Sequence, residues 1–194
     1  MPHEAVELAL DVRCSLGESP VWDSRTCELV WVDIRAEREI HCDLPGDHKR
    51  AASAGADELW SIDEKIMYYV DSLTHGLDAF DFTAETGQVR DRRRVADIPD
   101  SLGIPDGITL DEQGFIWVAL HGGNAVHRYS PEGLLERRIE LPVSLVTSCS
   151  FGGPNLDDLY ITSAVDPDRH EPLAGSIFCY RSDVAGRTGH LCKF

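Results

Sequence analysis

The chain has 194 residues, enough for one ordinary domain and short for two, and its 42% hydrophobic and 27% charged residues exclude the disordered, collagenous and membrane-embedded classes. Eighteen basic against 34 acidic residues give a formal net charge of −16, a field that repels phosphate backbones and anionic lipids, so neither nucleic acid nor membrane is expected as a partner. The start Met1-Pro2-His3-Glu4-Ala5-Val6-Glu7 lacks the features of a secretory signal, and the six cysteines at 14, 27, 42, 149, 179 and 192 form no C-x-x-C pair, which predicts a cytoplasmic protein with reduced, mostly buried thiols.

Four stretches share one pattern: an apolar strand with a polar tip, a turn rich in Asp, Gly or Ser, then further strands. The first predicts strands over 19–23, 29–33 and 40–43, and the second over 59–63, 67–71 and 77–81. The third predicts 106–111, 116–119 and 125–129, and the fourth 148–152, 159–162 and 176–180. An aromatic before the last apolar residue of the second strand marks the register at Trp31, Tyr69, Trp117 and Tyr160, giving spacings of 38, 48 and 43 residues. A period of about 40 to 50 residues built from short strands predicts the blades of an all-β propeller, where a sandwich would show turns without this long repeat.

Between these strands, 44–58 is polar and Gly/Ala-rich and reads as a loop or linker. Arg92-Arg93-Arg94, flanked by Asp91 and Asp97, reads as a solvated strand face or turn, and 92–103 and 166–175 read as connections longer than hairpin turns, a common place for function. The segment 132–139 follows Pro131 and reads as a hairpin arm rather than a helix.

Gly17-Glu18-Ser19-Pro20 puts a carboxylate at the start of an inner strand, after a Gly that lets the backbone turn and before a Pro suited to a strand beginning. Ile104-Pro105-Asp106-Gly107 repeats the design in the third stretch. Inner strands of a propeller line its channel, so the two carboxylates would converge there, and two close carboxylates repel unless a proton or cation lies between them. Oxygen-only donors select a hard divalent ion. The alternative is that each carboxylate caps a turn.

The strings Leu16-Gly17-Glu18-Ser19-Pro20-Val21-Trp22-Asp23, Trp31-Val32-Asp33-Ile34, Trp60-Ser61, Tyr68-Tyr69-Val70-Asp71-Ser72, Ile104-Pro105-Asp106-Gly107, Gly114-Phe115-Ile116-Trp117-Val118-Ala119 and Thr147-Ser148-Cys149-Ser150-Phe151-Gly152-Gly153 resemble, in order, the SMP-30/gluconolactonase family, also called regucalcin-like. The resemblance implies a β-propeller of the six-bladed type that hydrolyses sugar lactones to aldonic acids with one divalent metal ion (Ca, Zn, Mn or Mg) on the channel axis. It implies Glu18 and Asp106 as metal ligands and Asp106 also as the catalytic base. His121 is a weak candidate for binding substrate hydroxyls, a surface position being its commoner fate.

Six blades of roughly 45 residues need about 270, and this chain supplies about four. Against the family, residues 1–194 read as a single domain with an apparent internal deletion near 44–59 that removes about two middle blades, and with them a substrate-binding Arg and Asn. The family's metal-binding Asn, in a Pro-Asn-Gly before Trp-Ser, is replaced here by Gly55-Ala56-Asp57-Glu58-Leu59, and the chain's two asparagines, Asn124 and Asn155, lie elsewhere. Asp57 or Glu58 would be the replacement ligand, unless both sit in a solvated loop. The expected arrangement is a four-bladed ring, a partial arc, or self-association through unpaired sheet edges. Two functions follow: a metal-dependent lactonase acting on a small sugar lactone, or a non-catalytic calcium-, metal- or protein-binding propeller variant, such as a splice form or remnant. The absence of G-x-S-x-G argues against serine chemistry.

Overall fold

The computed structural model describes residues 5–24, 26–43, 58–60 and 65–187, and of Arg38, His41, Asp43 and 58–60 it describes the backbone alone. In chain order the strands are β1 (Glu7–Leu10), β2 (Gly17–Asp23), β3 (Glu28–Asp33), β4 (Arg38–Asp43), β5 (Glu58–Trp60), β6 (Ile66–Asp71), β7 (Gly76–Thr83), β8 (Gln88–Asp97), β9 (Ile104–Leu110), β10 (Ile116–His121), β11 (Ala125–Tyr129), β12 (Leu135–Glu140), β13 (Val146–Gly152), β14 (Asp158–Ser163) and β15 (Ile177–Arg181). They form four antiparallel sheets, in the orders β2-β3-β4, β5-β6-β7-β8, β9-β10-β11-β12 and β13-β14-β15-β1. These are the four blades of a partial propeller, with β2, β5, β9 and β13 innermost.

The amino-terminal strand does not belong to the blade that follows it. β1 pairs antiparallel with β15, Glu7 opposite Cys179, and so completes the last blade from the other end of the described chain. Leu8 and Ala9 lack the length and alternation of the blade strands, so nothing in this short segment marks it as a strand by itself.

Three apolar clusters mark three seams among the described residues. Tyr68, Val70, Leu77 and Ile98 meet Ile108, Ile116 and Val118 between the second and third blades. Trp117, Val126 and Ile139 meet Cys149, Phe151 and Phe178 between the third and fourth. Leu29 and Trp31 meet Tyr160 and Ile177 between the fourth and first, with Cys14 from the segment before β2. Each seam arises from strand alternation, because side chains two apart share a face. Alternation also corrects the register marker in the second blade: Tyr68 fills the seam while Tyr69, one residue on, points to the other face and is half-buried.

The arginine run lies inside β8, which continues to Asp97, so the expected long connection from 92 shrinks to the segment around the 3-10 turn Asp100–Leu102. Its residues are exposed, as expected of a solvated strand face, but they are not idle. Arg92 and Arg94 both clasp the buried Asp78 on β7, at 2.5 Å and 2.8 Å, while Arg93 pairs with exposed Asp81 at 2.6 Å. The hairpin arm is borne out as β12. Of the cysteines, Cys14 and Cys149 are buried and Cys27, Cys42 and Cys179 half-buried, none of these five in a disulfide, and Cys192 lies outside the described residues. Among the described residues no helix is long and apolar enough to cross a membrane.

Candidate functional site

β13 lies between β2 and β9, packing on both. Glu18 and Asp106 therefore flank the strand that begins Val146-Thr147-Ser148, and all three strands present the same end to one face of the propeller. At that end each inner strand breaks its pairing. β2 shifts between Glu18 and Val21, where Ser19 adopts φ 51°. In β9, Asp106 and Gly107 stand opposite the single residue Ala119, and in β13 Thr147 is the extra residue between Val146 and Ser148. Such bulges re-aim side chains and recur beside active sites.

Two glycines let these strands approach. A Cβ on Gly107 would lie 2.1 Å from Ser148 Oγ and 2.9 Å from Ser148 Cα, and one on Gly17 would lie 2.9 Å from the Ser163 carbonyl oxygen. Asp33, at the end of β3, holds the segment leading into Glu18: its carboxylate accepts from the Ser15 and Leu16 amides, each at 3.0 Å. Both Glu18 and Asp106 are half-buried and engaged with neighbouring groups. The negative charge of Asp106 reaches β13, where it adds to burial in pushing the Cys149 thiol far above its ordinary range.

His121 ends β10 on the same face, its Cα opposite Ile104, and it forms a bridge with Leu145. It is half-buried rather than at the surface, and burial lowers its pKa, with Asp166 opposing and Arg35 adding to the shift. The adjacent turn is fastened: Gly122 N donates to Ser144 O at 2.9 Å, and Ser144 donates through N and Oγ to Glu171 Oε2 at 2.9 and 3.0 Å. The 166–175 connection is thus tied by Glu171 to the segment leading into β13.

Asp57 lies outside the described residues. Glu58 is not in a loop: its backbone opens β5, opposite Tyr69, which makes it the first residue of an inner strand. Among the described residues no group of three or more His, Cys, Asp or Glu side chains is arranged to hold a metal ion. Glu18 and Asp106 are one donor or more short of a cation site, and the described residues do not by themselves fit the expected metal. Sequence reasoning missed Thr147 and Ser72, whose hydroxyls reach the backbone beside the two carboxylates. The only signal was a hydroxyl residue at the first turn of an inner strand and another just after a second strand.

The four blades and their bulged, carboxylate-bearing inner strands define a partial β-propeller. The family described as "SMP-30/Gluconolactonase/LRE-like region" matches residues 58–165, and the chain belongs to it. It is 43% identical over 125 residues to regucalcin of Oryctolagus cuniculus, a match covering 61% of this chain and 42% of that relative, so the match spans less than half of the relative's length. Among solved structures, it is similar to a luciferin-regenerating enzyme, with TM-score 0.79, 22% identity and coverage of 95% of this chain and 98% of that one. It is likewise similar to a calcium-binding protein, regucalcin, of Agrobacterium tumefaciens strain C58, with TM-score 0.79, 19% identity and coverage of 98% of both chains. The two structural likenesses show the fold.

Proposed function

We propose that the chain is a carboxylic ester hydrolase that opens sugar lactones to aldonic acids, with Asp106 as the base. The observation that carries this reading is that Asp106 and Glu18 stand at the same end of inner strands on either side of β13, each at a break in strand pairing and beside a glycine. Family membership supports the reaction class.

In the proposed step a water attacks the lactone carbonyl carbon while Asp106 takes one of its protons. The ring C–O bond breaks, the ring oxygen leaves as an alkoxide and accepts the proton from Asp106, and the product is the open hydroxy acid. His121, on the same face, is proposed to hydrogen-bond a substrate hydroxyl. Glu18 and Asp106 are proposed as two oxygen donors to a divalent cation, with Asp57 or Glu58 as the replacement third. A bound hard cation would supply Lewis acidity at the carbonyl. The soluble, cytoplasmic setting remains part of this proposal.

A second reading, a propeller that binds without turnover, is favoured by one observation, the incomplete donor set among the described residues. The initial rate of glucono-δ-lactone opening in a pH-stat separates the two, measured with Ca²⁺ or Mn²⁺ and again with excess chelator. Enzymatic opening above background supports the hydrolase, and its loss with chelator supports the cation. Background rates alone from folded protein would overturn the hydrolase and leave the binding propeller.

A further inference from the structure

A bulge turns a side chain toward a site but also leaves peptide groups without ladder partners. At both carboxylate-bearing bulges the carbonyl immediately before the carboxylate residue is taken by a hydroxyl from the neighbouring blade. Gly17 O, before Glu18, accepts from Thr147 Oγ1 of the fourth blade. Pro105 O, before Asp106, accepts from Ser72 Oγ of the second blade at 2.8 Å. The two braces have the same chemistry and the same offset from the carboxylate.

Proton bookkeeping gives the first brace a direction. Thr147 has one hydroxyl proton, and it goes to Gly17 O. The Thr147 oxygen also lies 2.9 Å from Thr162 Oγ1, and with its own proton on Gly17 O it can only accept there, so Thr162 shares its one proton between this oxygen and the Ser148 carbonyl at 3.3 Å. Both threonines are fully buried. A relay of two hydroxyls therefore runs from β14 through β13 to β2 and ends on the Gly17 carbonyl. Because the peptide unit is planar, fixing that carbonyl fixes the Glu18 amide and narrows the direction of its Cα–Cβ bond. Steric walls add to the braces, since neither Gly17, before Glu18, nor Gly107, after Asp106, has room for a Cβ.

We propose that Thr147 and Ser72 are positioning residues: interblade hydroxyl braces that lock the peptides preceding Glu18 and Asp106 and thereby aim the two carboxylates into the channel. The proposal rests on the reading of Glu18 and Asp106 as the site's carboxylates. Thr147 carries the greater share, because it is buried and backed by Thr162, whereas Ser72 is exposed.

The test uses the full chain with Thr147→Val, which keeps the shape and deletes the donor, Thr147→Ser, which restores it, and Ser72→Ala in an exposed turn where folding is not at risk. Two readouts are taken. The first is kcat and KM on glucono-δ-lactone. The second is the side-chain carboxyl ¹³C resonances of labelled Glu and Asp followed through a pH titration, assigned with Glu18→Gln and Asp106→Asn. Thr147→Val should lower kcat by about 10- to 100-fold with KM nearly unchanged, as expected of misaimed groups, and should move the Glu18 resonance. Thr147→Ser should restore both, and Ser72→Ala should move the Asp106 resonance alone. Carboxyl resonances unchanged in Thr147→Val and Ser72→Ala would overturn the braces, and so would equal behaviour of Thr147→Val and Thr147→Ser. If Thr147→Val does not fold, Ser72→Ala decides alone. A wild-type chain that opens no lactone sinks the hydrolase reading, while the resonances still decide the braces.

Discussion

β9 carries one aspartate near each end, and their surroundings are opposite. Asp111, just past the carboxyl end, is fully enclosed: Oδ1 accepts from the Gln113 and Phe115 amides at 2.9 and 3.0 Å, and Oδ2 from the Trp117 indole at 2.9 Å. Arg128, also buried, completes it at 2.7 Å, with its guanidinium 3.9 Å from the Phe115 ring centroid. Asp106, five residues earlier, sits half-buried in a bulge on the channel side. Saturated hydrogen bonding at the turn that follows the strand makes one carboxylate a structural pin. A break in pairing, a neighbouring glycine and partial exposure set apart the other, the carboxylate proposed as the base.

Matched substitutions test this division. Asp106→Asn should leave the melting temperature near that of wild type and reduce lactone hydrolysis by at least about 10²- to 10⁴-fold, the usual worth of a general base. An unchanged rate would remove Asp106 from the role of base. Asp111→Asn should do the reverse, since it leaves the buried Arg128 with only the more exposed Glu136 as counter-charge, a loss of up to roughly 3–5 kcal/mol. At about 2–4 °C per kcal/mol for a chain of this size, its melting temperature should fall by about 10 °C. Activity per folded molecule should persist, and a parallel loss of both properties in either variant would erase the contrast.

The sequence showed the Asp106 end more readily than the Asp111 end. Asp106 stood in a short Pro-Asp-Gly signal repeated in kind by Gly17-Glu18-Ser19-Pro20, and most blade strands were visible because their apolar residues alternate over the core faces. What was hidden depended on contacts distant in the chain. Thr147 reaches Gly17 across 130 positions, and β1 acquires its role only by pairing with β15. β8 was concealed because its outward side chains are charged, and a strand exposed on one side and clamped by ion pairs has little alternation to read. The Tyr68 and Tyr69 pair hid its facing because adjacent aromatics carry no period.

Close approach at the bulged end of the inner strands offers the next test. Gly107→Ala would place a methyl 2.6 Å from Ser148 Cβ and 2.9 Å from its Cα, so β9 and β13 must part. The expected cost is about 1–3 kcal/mol by thermal unfolding. Ser148→Gly added to it should recover part of that loss, because it removes the two nearest contacts. A fully additive pair would show that the strands are not held by this contact.

The larger part of a pH dependence should come from the third blade's own buried histidine, with His121 on the channel face adding in the same direction. His127 is fully buried with Nδ1 at 3.0 Å from Tyr129 Oη, and its Nε2 has no hydrogen-bond partner. Burial, with Arg138 adding to it, pushes its pKa down to about 4. The folded protein therefore holds the ring neutral while the unfolded chain takes up a proton below its ordinary value of 6.5. Stability is complete above that value and falls as pH drops toward 4, by about 1 kcal/mol per pH unit from this group. His127→Phe should flatten the slope of chemical-denaturation stability between pH 6 and 4, and an unchanged slope would assign it elsewhere.

The smallest effect belongs to the second blade, where the same rule separates two aspartates on β7. Asp78 is buried and clasped by Arg92 and Arg94, so it behaves as a second Asp111. Asp81 faces water, and its partner Arg93 is also well exposed, with side chains 59% and 44% accessible. Water screens that pair and its side chains lose rotamer freedom in forming it, so Arg93→Ala should change stability by less than about 0.5 kcal/mol and lose even that effect in high salt. Asp78→Ala should cost several times more, because it removes the buried carboxylate that both guanidinium groups share and leaves them only the more exposed Asp71 and Asp97. Equal costs for the two would mean that pairing itself, rather than burial of the carboxylate, decides which acids hold this propeller together.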